Sequence, residues 1–256
     1  MYTDSHTHLY LDAFSEDRDH MVRRAVEAGV TRMLLPNIDS STAGAVFAMA
    51  MDYPGQCFPM MGLHPTSVKG NYLEELATIE KLLDHPGIVA IGETGIDLYW
   101  DKTHIREQEI AFRTQIGWAK EMGLPLVIHA RNSFQEIFRI MDETSPDGLQ
   151  GVFHSFTGGK SELRKALSLG FKIGINGIVT FKNSDLWQIL SDIPPDRLLL
   201  ETDSPFLAPA PFRGRRNESS YLVYIVSRVA EIYNLNIEEV GAITTRNALE
   251  LFQRTY

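Results

Sequence analysis

Cysteine is nearly absent from the 256-residue sequence. Cys57 is the only one, so no intrachain disulfide can form, and a reducing cytoplasmic home is expected rather than secretion. Its neighbours Phe58 and Pro59 mark it as an inert, buried thiol. No apolar run approaches the roughly 20 residues that a bilayer-spanning helix needs, and Met1-Tyr2-Thr3-Asp4-Ser5-His6 lacks the basic and apolar regions of a signal peptide. No membrane contact is expected. Basic charge is also scarce: 24 Lys and Arg against 33 Asp and Glu give a formal net charge of −9. That balance argues against a constitutive nucleic-acid-binding module, which needs a basic face to displace counterions from phosphates. A nucleic-acid enzyme remains open, because two divalent ions would bring four positive charges to the substrate. No Gly-rich fingerprint follows the first strand, which removes the main support for a dinucleotide-binding fold. There is no linker rich in Gly, Ser or Pro, no low-complexity tract and no repeat beyond a strand-helix unit. One domain spanning residues 1–256 is expected, with no obligate protein partner.

What is present is a regular alternation. Short β-branched or apolar runs recur about every 25 to 35 residues, separated by segments of helical period. They predict strands near 2–6, 31–36, 57–62, 88–92, 125–129, 151–154, 171–175 and 198–202. Helices are predicted at 19–29, 41–52, 71–84, 105–122, 133–143, 160–169, 185–190 and 218–233, and Gly29, Gly123 and Gly170 stand where C-caps belong. In 105–122, Ile105, Ile110, Phe112, Ile116 and Ala119 are the positions expected to cover a sheet. Residues 236–254 read as two short helices packed outside. Eight such units favour a TIM-type (β/α)8 barrel with C-terminal extra helices over an open sheet.

The ends of these strands carry the chemistry. His6 and His8 follow the first strand, one residue apart, so in extended backbone both imidazoles leave the same face. Glu93 follows the fourth strand, His129 the fifth, His154 the sixth and Asp203 the eighth. A polar residue capping one strand end is ordinary, but five strand ends converging on metal-ligand chemistry are not, and barrel active sites lie at that face. Four histidines and two carboxylates exceed what one catalytic zinc takes, usually three protein ligands and an open position. Two ions fit better: Glu93 bridging, His6, His8 and Asp203 on one ion, His129 and His154 on the other. The donors suit Zn, Mn, Fe or, less comfortably, Mg. Two ions can activate water at neutral pH and stabilise both oxygens of an in-line phosphoryl displacement. Asp203 and Glu93 are the candidate catalytic residues, with Asp203 as general base as well as ligand.

Lesser candidates surround these. His64, after the third strand, can meet a phosphate or leaving oxygen, or cap its loop. Arg131 can clamp phosphate by its planar fork, or pair with Glu93 or Glu136. Arg213, Arg215 and Arg216 form the one dense basic stretch, able to hold a nucleic-acid backbone or simply face solvent. Glu201 can support a ligand or pair with Arg213, and Asp4 has the same ambiguity. His20, His85 and His104 read as structural. Tyr99, Trp100, Phe134 and Phe156 can stack on bases or pack.

The sequence resembles the TatD family of metal-dependent deoxyribonucleases over essentially its whole length. The likeness rests on Asp4-Ser5-His6-Thr7-His8, Gly62-Leu63-His64-Pro65, Gly92-Glu93-Thr94-Gly95-Ile96-Asp97 and Pro125-Leu126-Val127-Ile128-His129-Ala130-Arg131. It continues through His154-Ser155-Phe156-Thr157-Gly158, Glu201-Thr202-Asp203-Ser204-Pro205-Phe206-Leu207 and Arg213-Gly214-Arg215-Arg216-Asn217. The resemblance implies a metallo-dependent hydrolase barrel that cleaves DNA phosphodiesters, often from a 3′ end, with a divalent cation. Its ligand pattern falls on His6, His8, Glu93, His129, His154 and Asp203. Thr66 departs from it, standing where many members have a second histidine. The competing readings are a barrel hydrolase of a small phosphoester, amide or lactone, and a non-catalytic metal-binding scaffold. Many relatives of the former bridge their metals with a carboxylated lysine on the fourth strand, where this chain has Glu93; the latter is disfavoured because no ligand is missing.

Overall fold

The structure is a computed structural model and describes residues 1–144 and 148–253. Eight strands appear in the expected order: β1 (Tyr2–Asp4), β2 (Val30–Leu35), β3 (Cys57–Pro59), β4 (Ile91–Asp97), β5 (Leu126–Arg131), β6 (Gly151–Phe153), β7 (Lys172–Ile175) and β8 (Leu198–Leu200). Each pairs in parallel with the next from β1 to β3 and from β4 to β8. The two runs are joined by a parallel bridge between Met61 and Ile91 and by Val89 N donating to Pro59 O at 3.0 Å. On the other side Ser5 N donates to Leu200 O at 3.1 Å and Asp203 N to His6 O at 2.9 Å. The chain therefore closes into a TIM-type barrel.

Helices α1 (Arg18–Glu27), α2 (Ala43–Asp52), α3 (Tyr72–Glu80), α4 (Ile105–Met122), α5 (Phe134–Glu143), α6 (Lys160–Ser168), α7 (Leu186–Leu190) and α8 (Leu222–Tyr233) surround it. Their inner faces supply Met21, Val46, Ile79, Phe112, Ile137 and Ile225 to one core with Met33, Ile128, Phe153, Ile173 and Leu200 of the strands. α4 presents Ala111, Phe112, Ile116 and Ala119 inward, while Ile110, expected on that stripe, is 40% exposed.

A second apolar cluster fills the barrel itself. Leu34, Met60, Ala90, Val127, Val152 and Leu199 meet Ala248, Leu251 and Phe252 there. Because side chains alternate along a strand, two residues beyond these plugs point into the same interior nearer the C-terminal mouth. Val127 leads to His129, Val152 to His154 and Leu199 to Glu201. The pleat thus delivers the polar residues to one end and the apolar ones to the other.

Three expectations need correction. The first strand ends at Asp4, so His6 and His8 lie in irregular backbone beyond it rather than on an extended strand. β4 runs Ile91–Asp97, so Glu93 lies within the strand and Asp97, not Glu93, closes it. The sequence there looks unlike a strand because Gly92 and Gly95 interrupt it, yet both are needed. A Cβ at Gly95, whose φ is +133°, would fall 2.1 Å from His129 O. The C-terminal segment is one helix, α9 (Ile237–Leu251), rather than two; residue 254 of the expected range lies outside the described residues. A reciprocal cap starts it, with Asn236 accepting from Glu239 N and Glu239 from Asn236 N. Gly241, a weak helix former, sits where a Cβ would meet the Tyr2 ring at 2.4 Å.

Candidate metal centre

Glu93 lies at the middle of the barrel mouth, buried and flanked by histidines on both sides. Its Oε2 is 3.1 Å from His6 Nε2 and 3.8 Å from His8 Nε2. Its Oε1 is 2.8 Å from His129 Nδ1, 3.3 Å from His64 Nε2 and 3.8 Å from His154 Nε2. Asp203 Oδ1 approaches the first side, 3.9 Å from His6 Nε2 and 3.6 Å from His8 Nε2, and reaches His154 Nε2 at 3.9 Å. All six expected ligands thus meet in one place. Three groups of donor atoms lie mutually within 4.8 Å: His6 with His8 and Asp203, His6 with Glu93 and His154, and His64 with Glu93 and His129. His154 stacks on His6 with ring centroids 3.4 Å apart and stands farther from His129, at 6.5 Å.

Around these donors stands a set of orienting groups. Tyr10 Oη lies 2.9 Å from His8 Nδ1 and donates to Pro36 O. Glu201 Oε1 is 2.9 Å from His154 Nδ1 and accepts from Ser155 N at 2.6 Å. Glu201 therefore serves a histidine and not Arg213, and Gly174 leaves it room: a Cβ there would fall 2.5 Å from Glu201 Oε2. Asp4 accepts from Thr202 N and Oγ1 at 2.9 and 2.6 Å, fastening β1 to the segment that carries Asp203. Asp203 has φ +57°, a left-handed conformation that Asp tolerates better than most residues. Thr66, the departure from the family pattern, lies 2.6 Å by its Oγ1 from His64 Nδ1 and so orients the neighbouring imidazole.

Asp97 is the residue that strand-end reasoning missed. Its Oδ2 is 2.9 Å from His129 Nε2, while its Oδ1 accepts from Tyr99 N and Trp100 N at 2.9 and 3.2 Å. A period-two count would have found it, because Glu93, Gly95 and Asp97 share one strand face.

The electrostatics fit a cation site. Burial opposes the charge on Glu93, but His64, His6 and His154 and the hydrogen bond from His129 hold its carboxyl well below the usual range. Burial likewise opposes the charge on Asp203, and His154, His8 and His6 outweigh it to lower that carboxyl. On His154 burial works against protonation, yet Glu201, Glu93 and Asp203 raise it to about 10. His129 faces a carboxylate oxygen from each ring nitrogen. A neutral imidazole has only one N–H, so such a ring carries two protons or shares a cation with one of its carboxylates. His6 makes the same point differently: its Nδ1 is buried without a hydrogen-bond partner among the described residues, and its Nε2 sits among two carboxylates and His8. With these two rings left unmatched, the converging imidazoles and carboxylates suit a divalent ion.

A cleft of about 440 Å³ opens onto the cluster, lined by His8, His64, Glu93, His129, His154 and Asp203 on its floor and by Trp100, Arg131 and Phe206 higher up. Arg131 pairs with neither Glu93 nor Glu136. Its guanidinium lies 4.1 Å from the Tyr99 ring centroid and 5.3 Å from that of Trp100. Arg213 and Arg215 do not line this cleft. Arg213 lies over Phe181 at 4.6 Å, Arg215 is exposed, and Arg216 is committed to Asp17 and Ala13 O. Phe134 and Phe156 pack on each other and Phe156 is buried, so both belong to the core. His85 stacks on Phe47 and His104 pairs with Glu107, as structural histidines. Cys57 is buried, and burial pushes its thiol up to about 12. Among the described residues no helix is long and apolar enough to cross a membrane.

Known proteins are similar to this chain over its whole length. The sequence pattern described as TatD related DNase matches residues 3–253. The chain is 37% identical over 254 residues to the uncharacterized metal-dependent hydrolase YabD of Bacillus subtilis, covering 99% of each. It is 35% identical over 245 residues to the 3'-5' ssDNA/RNA exonuclease TatD of Erwinia amylovora, covering 93% of this chain and 95% of that one. The crystal structure of YJJV, a TatD homolog from Escherichia coli, superposes with a TM-score of 0.92 at 26% identity over 98% of both chains. With a full-length sequence match and the same barrel, the chain belongs to the TatD family of metal-dependent hydrolases.

Proposed function

We propose that this chain, acting as a single domain, is an exonuclease that hydrolyses DNA phosphodiesters from the 3′ end with two divalent ions. The observation that carries the reading is the two-sided carboxylate: Glu93 turns Oε2 to His6 and His8 and Oε1 to His129, His64 and His154. His6, His8 and Asp203 would hold one ion, His129 and His154 the other, with Glu93 between; Zn, Mn, Mg and Fe all suit these donors. Bound ions would supply Lewis acidity and an activated water at neutral pH. The chain's own residues supply the rest. Asp203, its carboxyl kept ionised by neighbouring imidazoles, stands ready to accept the proton of the attacking water at Oδ1. His64 borders the cleft beside Glu93, where it can donate to a phosphate oxygen or the leaving oxygen. Arg131 lines the same cleft and can meet the scissile phosphate from its side. The relative from Erwinia amylovora named as a 3'-5' ssDNA/RNA exonuclease supports both polarity and substrate class.

The test is hydrolysis of end-labelled single-stranded DNA by chelator-stripped protein with Mg, Mn or Zn restored, run beside Asp203→Ala. Shortening from the 3′ end that requires metal and is absent in the variant is expected. No cleavage with any metal would favour the small phosphoester, amide or lactone reading.

A further inference from the structure

Two exposed aromatic side chains stand at the mouth of the cleft, and each is fixed to the centre by one polar side chain. Trp100, 69% exposed, follows β4; Phe206, 52% exposed, follows β8. In an eight-strand closed barrel these strands are separated by three others in either direction, so the two rings rise from opposite sides of the opening. Both line the cleft. Asp97 holds the Trp100 backbone with Oδ1 while its Oδ2 engages His129. Across the cleft, Asn217, fully buried, donates from Nδ2 to Phe206 O at 2.7 Å and to Thr202 O at 2.8 Å. Phe206 N in turn donates to Asp203 O at 2.9 Å, and the Phe206 ring stands edge-on to His8 at 6.1 Å. Exposed aromatics cost solvation, and neither of these is buried by the core. The cation-π contact of Arg131 with Tyr99 and Trp100 stiffens that lip, with no carboxylate among the described residues neutralising the charge.

We propose that Trp100 and Phe206 are specificity-determining residues that receive an unpaired nucleobase at the cleft mouth by stacking and thereby select frayed or single-stranded ends. This rests on the exonuclease reading above. A terminal base still paired to a complementary strand offers only its outer face, because its inner face is stacked on the next base, whereas an unpaired terminal base splays out and presents both faces to rings on opposite sides of the cleft. Stacking is tolerant of base identity, so the device discriminates pairing without reading sequence. The cleft, about 440 Å³ in volume, is of a size to take one nucleotide.

The experiment compares two 5′-labelled single-stranded oligonucleotides, identical except that the 3′-terminal nucleotide carries adenine or is a stable abasic residue. For the metal-loaded wild type, kcat/KM for the first cleavage is expected to favour the adenine end by roughly ten- to a hundredfold, the range of one base-aromatic stack. Trp100→Ala and Phe206→Ala should each shrink that ratio several-fold, and Trp100→Phe should largely restore it. A wild-type ratio near one, or an undiminished ratio in both alanine variants, overturns the proposal. If the wild type cleaves neither substrate, the exonuclease reading has failed and the stacking is read by binding instead. An oligonucleotide ending in 2-aminopurine should then be quenched by the wild type and less by the two alanine variants, and equal fluorescence in all three overturns it.

Discussion

At the N-terminal end of the barrel, Leu34, Met60, Val127, Val152 and Leu199 close on Leu251 and Phe252; two residues further along the same strands stand His129, His154 and Glu201. The lower end gains stability from burying apolar surface and carries no chemistry. The upper end buries Glu93, His6, Glu201 and Asp4, charged or ionisable groups whose desolvation is costly. One end is therefore expected to sustain the other. Substitutions should separate accordingly into those that reduce turnover and those that reduce stability.

The largest contrast is between Glu93→Ala and Phe252→Ala. Removing Glu93 takes away the carboxylate both sides of the site share, and turnover should fall roughly a thousandfold or more. Its thermal midpoint should fall less than that of Phe252→Ala, because His129 keeps Asp97 and His154 keeps Glu201 and Asp203 as carboxylate partners. Phe252 is fully buried in the plug, and its truncation should cost about 3–5 kcal/mol of stability. Turnover per folded molecule should stay at the wild-type value. Denaturation midpoints and kcat measured on both proteins check the pair, and a kcat loss in folded Phe252→Ala would break the separation.

Asp97→Asn sharpens the comparison inside the upper end. Asparagine keeps an acceptor for Tyr99 N and Trp100 N but loses the charge facing His129. A loss of about 10- to 100-fold in metal affinity or turnover is expected, as for other partners of metal-binding histidines. Calorimetric metal titration would show it. Unchanged affinity would reduce Asp97 to a support for its loop.

Much of this architecture was visible in residue order. Apolar runs ending in His, Glu or Asp bring five strand ends and six candidate ligands together, because a barrel forces strand C-termini to share one face. β4 outruns its hydrophobic signal because its interior face is polar: Glu93 and Asp97 point into the centre with Gly95 between them, so hydrophobic period gives no signal beyond Ile91. Asp97 gives no strand-end signal for the same reason. Gly241, a weak helix former, does not divide α9, because it serves the close contact with Tyr2. The exposure of Phe206 has no sequence signal, because it is a property of the loop that Asn217 ties down. Pairings such as Glu201 with His154 depend on side-chain reach between distant segments and are not encoded in local spacing.

The smallest effect belongs to the basic stretch, where the structure divides three arginines that looked equivalent. Arg216 is held by Asp17, whose carboxyl that guanidinium and Arg24 lower to about 2, and Arg213 lies over Phe181. Arg215 is exposed, and among the described residues its side chain has no ion-pair partner, so it retains a charge for a phosphate outside the cleft. Arg215→Ala should therefore weaken a long single strand more than a small phosphodiester that reaches only the metal centre. The dependence of log K on log salt should flatten by about 0.7, the contribution of one phosphate contact on a single strand. An equal effect on both substrates, or an unchanged salt slope, would return Arg215 to ordinary solvated surface and leave the cleft alone responsible for holding the strand.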